Sequence, residues 1–402
     1  MNPNKKIKVL HIVNRFNLGG LTFITAYLTK FMPNNFESLI IGGEKDDSEE
    51  SCNYIFNQLG IKPIVIPEMK RSININNDKI AYQKIVKIIK EFKPDVVHTH
   101  ASKAGSLGRM AASKCKVPVI VHTFHGHVFH SYFNKPKTLL IKTIEKYLAR
   151  KSTAIIAISD IQKKELSSEF KICKASKIHV VPYGFDLSKF SENQSEKRIS
   201  FRKNYLLDDD EIAIGIVGRL VPIKNHVFFL DATSSVLNKT KKKVRVFIIG
   251  DGEERESLIA KCQLLNLEYV EFTKSPKKSD VTFTSWIKDV DIAIAGLDII
   301  ALTSLNEGTP VSLIEAQAAN KPIVTTNVGG VENVVVKNQT AFVIEINDTN
   351  GFSNAILDLV ENENLRIDMG KKGWENVNKK FNITRMINDM QNVYVSLLNN
   401  TK

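Results

Sequence analysis

Short, almost wholly aliphatic runs alternate with segments of helical periodicity along the chain, and this pattern restricts the fold more than any other feature. The aliphatic runs lie at residues 8–13, 38–41, 63–66, 95–98, 118–122, 154–158, 213–218, 244–250, 298–302, 322–326 and 341–344. Runs without polar alternation are typical of parallel strands that helices cover on both faces of a sheet. Because the pattern occurs in both halves, we predict an α/β protein of two doubly wound, Rossmann-like domains that face each other across a cleft.

The boundary between the halves is predicted at the turn within VPYGFD (181–186). A Pro-Tyr-Gly turn followed by the polar stretch 191–200 is typical of a hinge between domains. We therefore place one domain at 1–186, a second at 187–380, and at 381–402 a C-terminal helix that can return to the first domain. In open α/β sheets ligands bind beyond the carboxyl ends of the strands, which here means the cleft.

The formal net charge of +13 in 402 residues favours anionic partners: phosphorylated substrates, nucleic acid or an anionic membrane surface. The sequence has no RRM, KH, zinc-finger or helix-turn-helix pattern, so nucleic acid is not an expected partner. The four cysteines have no CxxC or CxxH spacing, which indicates neither a disulfide framework nor a zinc site. No apolar run reaches the length of a membrane span, and the lysine-rich start is typical of a first strand and not of a secretion signal. We expect a cytoplasmic protein with weak peripheral binding to the inner face of the cell membrane.

The segment SLNEGTPVSLIEAQ (304–317) predicts a helix whose start can bind an anion. Pro310 suits the first helical position and Thr309 the N-cap, while Gly308 lets a ligand approach the backbone. The free N–H groups at the helix start, beginning with that of Val311, would then bind a group such as a phosphate.

Two glutamates stand on either side of this helix start. Glu315 lies roughly 7–8 Å along the helix on an apolar face, where a carboxylate needs a partner. Glu307 precedes the helix. A nucleotide diphosphate sugar would fit, with its diphosphate at the helix start, its ribose hydroxyls at Glu315 and its sugar towards Glu307. The alternative is a surface helix in which Glu315 pairs with a lysine such as Lys321.

Two further turns combine glycines with a preceding strand. Gly19 and Gly20 open a helix directly after the first strand, where they allow a phosphate or sugar to approach or simply form a tight turn. Gly250 and Gly252 follow a strand of the second half, and the sequence leaves a nucleotide pocket and a simple turn equally open.

A basic loop, GRLVPIKN, follows the first strand of the second half. Arg219 offers a planar fork for phosphate oxygens, and Lys224 offers a compact charge. Two cations between a strand and a helix suit a diphosphate. An exposed basic loop without a ligand is the alternative.

Histidines and one acidic pair raise the question of a metal. Six of the nine histidines lie within 33 residues: His98, His100, His122, His125, His127 and His130. No helical HxxxH and no carboxylate partner accompanies them, so we prefer hydrogen bonding to a sugar or phosphate over a metal site. Asp289 and Asp291 form a DxD, but metal binding by that motif belongs to a single-domain architecture. No metal is predicted.

Together these motifs resemble family 4 of the retaining glycosyltransferases, which have the GT-B fold. In chain order they are Gly19-Gly20, HTHASKAGSLGR, TFHG, VPYGFD, GRLVPIKN, GDGEERESL, NEGTPVSLIEAQAA and VGGVENVV. The resemblance covers nearly the whole chain. It departs from the usual pattern at Tyr183, where asparagine is commoner, and at Asn320, where glycine is usual.

The resemblance implies a role for each candidate residue. His125, beside the donor sugar, and Glu307 would be catalytic. The donor would be bound by Gly19, Gly20, Arg219, Lys224, Glu307, Gly308, Thr309, Val311 and Glu315. The acceptor would be contacted by His100, Ser102 and Lys103, which makes the first domain the acceptor side and the second the donor-binding domain.

The implied reaction moves a hexose or an N-acetylhexosamine, with retention of its anomeric configuration, from a nucleotide diphosphate sugar. UDP is the favoured nucleotide, and the acceptor would be a sugar or a polyprenyl-diphosphate-linked sugar in surface polysaccharide synthesis. The nucleotide sugar is a substrate, and no cofactor is expected. Two alternatives remain: a nucleotide-sugar epimerase of related two-domain fold, and a non-catalytic nucleotide-sugar binder.

Overall fold

The computed structural model describes residues 6–17, 20–46, 51–70, 72, 74–125 and 135–401, with the backbone alone for 135–138. The chain divides into two compact units. The first unit comprises Met1–Phe185 together with Ile383–Lys402, and the second comprises Asp186–Asn382. The C-terminal segment therefore belongs to the first unit.

Within its described residues, the first unit holds one seven-stranded parallel sheet in the order β3-β2-β1-β4-β5-β6-β7. Its strands are β1 Ile7–Arg15, β2 Phe36–Gly43, β3 Ile64–Val65, β4 Val96–His100, β5 Val119–Thr123, β6 Ala154–Ala157 and β7 Ile178–Val180. Its helices are α1 Gly20–Lys30, α2 Asn53–Leu59, α3 Ile75–Phe92, α4 Ser102–Lys114, α5 Lys135–Lys151, α6 Asp160–Lys164 and, from the C-terminus, α15 Ile383–Asn399, with a π-helical turn Glu165–Glu169 and a 3₁₀ turn Ala175–Lys177.

The second unit, which is described throughout, also holds a seven-stranded parallel sheet, in the order β10-β11-β9-β8-β12-β13-β14. Its strands are β8 Ile212–Val217, β9 Val244–Ile249, β10 Tyr269–Glu271, β11 Val281–Ser285, β12 Ile299–Leu302, β13 Ile323–Thr326 and β14 Ala341–Ile344. Its helices are α7 Ser188–Ser191, α8 Gln194–Asn204, α9 His226–Lys239, α10 Arg255–Leu264, α11 Val290–Gly296, α12 Val311–Ala318, α13 Thr349–Glu361 and α14 Glu363–Phe381, with 3₁₀ turns Pro222–Lys224 and Val331–Asn333.

Every predicted aliphatic run forms a strand, and the predicted class of two doubly wound α/β sheets is confirmed. The sequence pattern missed three strands: β7, β10 and β11. The first two are only three residues long. The third, VTFTS, alternates threonine or serine with apolar residues and so lacks the aliphatic continuity by which the others were recognised.

Strand order locates the position in each sheet at which a ligand is expected. The chain begins near the middle of each sheet and winds outward in both directions, so connections diverge between β1 and β4 in the first unit and between β8 and β12 in the second. Loops that leave the carboxyl ends of such strands bound the crevice in which doubly wound proteins bind ligands. In the second unit these are the loops that carry Arg219 with Lys224 and Glu307.

Helix α15 completes the core of the first unit. Its apolar face places Met386, Ile387, Met390, Tyr394, Leu397 and Leu398 in a cluster with strands of the sheet. Tyr394 is fully buried, and its hydroxyl lies 2.6 Å from Nδ1 of His98 in β4. None of the helices in the described ranges combines the length and apolarity that crossing a bilayer requires.

Candidate active site

The two loops at the switch point of the second unit are bonded to each other. Thr303 Oγ1 donates a hydrogen bond of 3.0 Å to the carbonyl oxygen of Lys224, and the N–H of Leu305 donates one of 2.8 Å to that of Ile223. These bonds join the end of β12 to the end of the 3₁₀ turn after β8. The side chains of both loops are therefore held in register with each other.

Lys224 and Glu307, which lie 83 residues apart in the chain, form an ion pair across this junction. Lys224 Nζ donates to Glu307 Oε1 at 2.6 Å, and Ser304 Oγ donates to the same oxygen at 2.6 Å. Both side chains are largely shielded from solvent, with 25% and 11% of their surfaces exposed. A diphosphate at this position would compete with Glu307 for the ammonium, while Glu307 would keep its bond to Ser304.

Arg219 lies in the same loop but differs from Lys224 in its surroundings. It is exposed, and its guanidinium has no hydrogen-bond or ion-pair partner in the described part of the chain. A guanidinium that is free and always charged can bind phosphate oxygens without first breaking an internal bond. The loop thus presents one paired and one free cation.

The start of α12 differs from the prediction by one residue. The helix begins at Val311, its N-cap is Pro310 with an extended backbone (ψ 95°), and no side chain caps it. The prediction of Thr309 as the N-cap and Pro310 as the first helical residue was therefore wrong, because Pro310 turns the chain before the helix. Without a side-chain cap, the first N–H groups of the helix are left for another acceptor, and Gly308 is exposed beside them.

Gly329 and Gly330, which belong to the motif VGGVENVV, pack against the backbone of the Glu307 loop. The Gly330 N–H donates a 2.9 Å hydrogen bond to the carbonyl oxygen of Glu307. A Cβ on Gly330 would lie 1.6 Å from the carbonyl oxygen of Gly308, and one on Gly329 would lie 2.0 Å from that of Glu307. The backbone contact requires glycine at both positions. It fixes the position of the Glu307–Gly308 backbone relative to Gly329 and Gly330.

Replacing Gly330 with alanine is expected to displace this segment. The collision with the Gly308 carbonyl would cost about 1–3 kcal/mol of folding free energy. It would also lower any activity that depends on Glu307 at least about tenfold, since a shift of about 1 Å in a positioned group is costly. Gly308→Ala is the matched control for stability, because its new Cβ would meet nothing within 4 Å. Thermal unfolding of both variants tests the idea; equal melting temperatures would contradict it.

The glycines after β9 pack against the Arg219 loop. Gly250 has a φ of +141°, and a Cβ there would lie 1.9 Å from the carbonyl oxygen of Gly218. A Cβ on Gly252 would lie 2.3 Å from the carbonyl oxygen of Leu220. Of the two possibilities that the sequence left open, these contacts favour a turn that supports the basic loop.

Glu315 is half-buried in α12, and its carboxylate has no hydrogen bond or ion pair to any described residue. Burial raises the pKa of its carboxyl to about 7, with Lys189 opposing the shift and Asp291 adding to it. Lys321, the partner in the alternative interpretation, donates to the Ala295 carbonyl oxygen at 2.8 Å instead. An unpartnered, half-buried carboxylate in the same helix as an uncapped start fits a residue that hydrogen-bonds ligand hydroxyls.

In the first unit, histidines from neighbouring strand ends form a hydrogen-bonded row. His11 Nδ1 lies 3.3 Å from His100 Nε2, His100 Nδ1 lies 2.9 Å from His125 Nε2, and His125 Nδ1 lies 3.0 Å from the hydroxyl of Tyr183. His11 and His100 are fully buried, whereas His125 retains some exposed surface. His125 is thus the histidine in this row that a ligand can reach.

Burial keeps these imidazoles neutral. It lowers the pKa of His11 and of His125 to about 3, and it holds the pKa of His100 well below 6.5, with the neighbouring histidines adding to the effect. At neutral pH His125 therefore acts as a hydrogen-bond donor or acceptor and not as a cation. The tyrosine that departs from the family pattern, Tyr183, is the residue that bonds its second nitrogen.

Three histidines, His11, His98 and His100, have ring nitrogens that all lie within 4.8 Å of one another, which is close enough to consider a metal. However, both nitrogens of His98 are already bonded at 2.6 Å, one to the Tyr394 hydroxyl and one to the Thr123 hydroxyl. Metal binding would break one of these short buried bonds. The donor set is better explained as a packed polar network.

The predicted acceptor-side residues and the first glycine pair differ in whether a ligand could reach them. His100 is fully buried behind His125, so a direct contact with an acceptor is not possible in this structure. Lys103 is held by the carbonyls of Lys70 and Ser72 at 2.9 and 2.6 Å and by Asp78, and its ammonium is not free for a phosphate. Ser102 is exposed at the start of α4. Gly20 begins α1, and Gly19 lies outside the described residues.

Comparison with known proteins places this geometry in a family. The model described as Glycosyl transferases group 1 matches residues 197–375, and the model described as Glycosyltransferase Family 4 matches residues 18–189. A UDP-Gal:alpha-D-GlcNAc-diphosphoundecaprenol alpha-1,3-galactosyltransferase of Escherichia coli is 30% identical over 407 residues, covering 99% of each chain. The capsular polysaccharide biosynthesis glycosyltransferase CapM of Staphylococcus aureus is 27% identical over 335 residues, covering 83% of this chain and 85% of that one.

Solved structures agree on the fold. HepE of Anabaena in complex with UDP superposes with a TM-score of 0.79 at 17% identity, covering 97% of this chain and 100% of that one. A glycosyltransferase of Rickettsia africae gives a TM-score of 0.78 at 19% identity, covering 98% and 99%. The fold and the matches define a glycosyltransferase with the GT-B fold, as predicted. The chain belongs to glycosyltransferase family 4, the family that its motifs resemble.

Proposed function

We propose that this glycosyltransferase moves a hexose or N-acetylhexosamine from a UDP-linked donor to a lipid-linked sugar, with retention of anomeric configuration. The observation that carries the proposal is that the loop with Arg219 and Lys224 is bonded, at the switch point of the second sheet, to the loop that leads into the uncapped start of α12. Two cations and a helix start suit a diphosphate. The Escherichia coli relative, whose name states a UDP-galactose donor and a GlcNAc-diphosphoundecaprenol acceptor, supports this choice of substrates.

In the proposed reaction the bond between the sugar C1 and the diphosphate oxygen breaks, and the acceptor hydroxyl attacks C1 from the same face. The acceptor proton passes to the departing diphosphate. Negative charge grows on that diphosphate as the bond breaks, so the cations and helix N–H groups stabilise the transition state more than the bound substrate. Once the diphosphate takes Lys224, Glu307 is released from its ion pair and can accept hydrogen bonds from hydroxyls of the transferred sugar.

His125 is proposed to contact the transferred sugar as a neutral imidazole, as the resemblance implies. His100 and Tyr183 hold its two nitrogens, and this fixes the orientation of the ring. We propose that His100 acts in this indirect way, in place of the direct acceptor contact predicted from the sequence.

We further propose that no metal is needed. Asp291 of the DxD pair is bound by Lys189 at 3.1 Å and by Lys197 at 3.0 Å, so its charge is already balanced. The proposed place of action is the cytoplasmic face of the membrane, where a lipid-linked acceptor and the basic chain would meet.

The test is transfer from UDP-sugars to a GlcNAc-diphosphate-lipid acceptor, with and without a chelator, and with the anomer of the product determined by NMR. Retained configuration and activity in chelator are expected. An inverted product would overturn the retaining mechanism. Loss of activity in chelator that manganese restores would indicate that Asp289 and Asp291 bind a metal. A donor sugar that is epimerised but not transferred would favour the epimerase.

Glu315→Ala and Glu307→Ala separate the two glutamates. Glu315→Ala should weaken UDP binding in calorimetry at least about tenfold, because the ribose hydroxyls lose their hydrogen-bond acceptor. Glu307→Ala should keep UDP affinity, or raise it by freeing Lys224, while transfer falls. Normal UDP binding by Glu315→Ala would remove Glu315 from the nucleotide site, and tight UDP-sugar binding without any transfer by the wild-type protein would favour the non-catalytic binder.

A further inference from the structure

Helix α5 in the first unit exposes an apolar stripe that none of the described residues covers. Leu139, Leu140, Ile144 and Tyr147 are 68%, 61%, 43% and 50% exposed. Residues 140, 144 and 147 recur at helical spacing, so their side chains project from one side of the helix. Over residues 139–147 the stripe is about 12 Å long.

The opposite side of the same helix is already packed. Leu148 and Ala149 are buried, Ile141 contacts the cluster formed by β6 and its neighbours, and Glu145 is buried in an ion pair of 2.8 Å with Arg109. The helix therefore has a complete core-facing side. The outward leucines and isoleucine are not needed for that packing, and a surface helix would ordinarily carry polar residues there.

Basic residues accompany the stripe. Within 139–151 the helix has four cationic side chains, namely Lys142, Lys146, Arg150 and Lys151, and one carboxylate, Glu145, which Arg109 neutralises. The Lys142 ammonium lies 4.6 Å from the centre of the Phe170 ring in the buried cluster, so the outward side carries the other three cations. Arg150 is exposed, and the Lys151 ammonium lies 5.1 Å from the centre of the Tyr147 ring at the edge of the stripe. The outward side of the helix is apolar and positively charged, with no unpaired carboxylate.

We propose that this outward side of α5 docks on an anionic lipid bilayer and lies in its interface. Apolar side chains with lysines and arginines beside them and an aromatic residue at the margin are the pattern of helices that lie in the headgroup region. Charge complementarity favours lipid over a protein partner. A protein would need a carboxylate placed opposite each cationic side chain, whereas an anionic bilayer presents negative headgroups opposite all of them. The proposal rests on the proposed function, for which a membrane-bound acceptor gives the docking a purpose.

The apolar stripe changes the expected salt dependence. Attraction between the basic residues and anionic lipid is screened by salt, but burial of leucine and isoleucine is not. Binding should therefore weaken at high salt without disappearing. A protein held by scattered lysines alone would dissociate completely.

The experiment measures co-sedimentation of the full chain with vesicles of phosphatidylcholine alone and of phosphatidylcholine mixed with phosphatidylglycerol, at low and high sodium chloride. The test variant is Leu140→Glu with Ile144→Glu. The matched control is Ile199→Glu with Leu264→Glu, which changes two exposed apolar residues of the second unit, 67% and 75% exposed. We expect the test variant to lose at least about tenfold in binding to the anionic vesicles and the control to bind as the wild type does.

Two readouts keep this test separate from the proposed function. Thermal unfolding of each variant confirms that the substitutions leave the fold intact, as exposed positions should. Transfer to a water-soluble acceptor analogue should be unchanged in the test variant. Absence of transfer by the wild type would sink the proposed function without touching the vesicle result. Equal vesicle binding by wild type and test variant, or a wild-type dimer in light scattering that the test variant dissociates, would overturn the docking proposal.

Discussion

Lys224→Ala is expected to lower turnover about 10²- to 10³-fold, the usual effect of removing one preorganised group that stabilises developing charge. In the structure this lysine already has a partner, Glu307, at 2.6 Å. The variant therefore loses a cation at the diphosphate and also leaves Glu307 with Ser304 as its remaining partner. Turnover should fall much more than UDP affinity, because the charge grows during bond breaking.

Lys372→Ala is the control for this variant. Lys372 also forms a lysine–carboxylate pair, 2.6 Å from Asp368, but within the exposed surface of α14, and such pairs contribute little. Both variants should unfold at about the wild-type temperature. Near-normal turnover of Lys224→Ala, measured at saturating donor, would remove Lys224 from the diphosphate site.

Mild acid is expected to unfold the first unit before the second. Four fully buried histidines, His11, His98, His100 and His122, and the half-buried His125 all have pKa values lowered by burial. In the unfolded chain they titrate near 6.5, so below that pH the unfolded state binds more protons and the free energy of unfolding falls. The loss continues towards pH 3, the region to which the pKa values of His11 and His125 are lowered.

The free energy of unfolding can change steeply with pH. Each such histidine removes up to about 1.4 kcal/mol per pH unit, so the five together set an upper limit of about 7 kcal/mol per pH unit. In the second unit, His226 alone has a lowered histidine pKa, at about 4. Most carboxylates titrate at lower pH. Glu315 in the second unit, whose pKa burial raises to about 7, binds its proton in the folded state before it does so in the unfolded state, so acidification in this interval stabilises that unit.

The two tryptophans make the order of unfolding measurable, because Trp286 and Trp374 both lie in the second unit. Circular dichroism reports helices of both units, whereas tryptophan fluorescence reports the second. Between about pH 6.5 and 5, denaturant midpoints from circular dichroism should fall while those from fluorescence hold. Coincident transitions at every pH would show that the units unfold together and would refute the separate loss of the first.

Features that depend on a short stretch of chain could be predicted from the sequence. Arg219 and Lys224 were placed correctly after β8 because an aliphatic strand, a basic loop and a helix follow one another without interruption. The Lys224–Glu307 pair could not be predicted, since it depends on β8 and β12 being neighbours although they are remote in the chain. Lys224 and Glu307 were therefore both assigned to the ligand, and their pairing with each other was not recognised.

The histidine row illustrates the same limit. The sequence indicated that histidines gather at strand ends, but their order, and the burial of His100 behind His125, depend on the parallel register of β1, β4 and β5. His11 was not singled out at all, although its place in β1 opposite His98 follows from that register. The prediction that the helix begins at Pro310 was wrong for a different reason. The extended ψ of Pro310 excludes this residue from the helix, and a single torsion angle cannot be read from the sequence.

The return of α15 to the first unit sets an order of events during synthesis. Residues 1–185 leave the ribosome first, but the core to which they contribute lacks Met386, Met390 and Tyr394 until the second unit has been made. At about 5–20 residues per second, that interval lasts about 10–40 s. During it His98 has no Tyr394 hydroxyl, and the apolar residues that α15 later covers are exposed to water. The part made first is therefore completed last, and it is exposed to chaperones and proteases for longest.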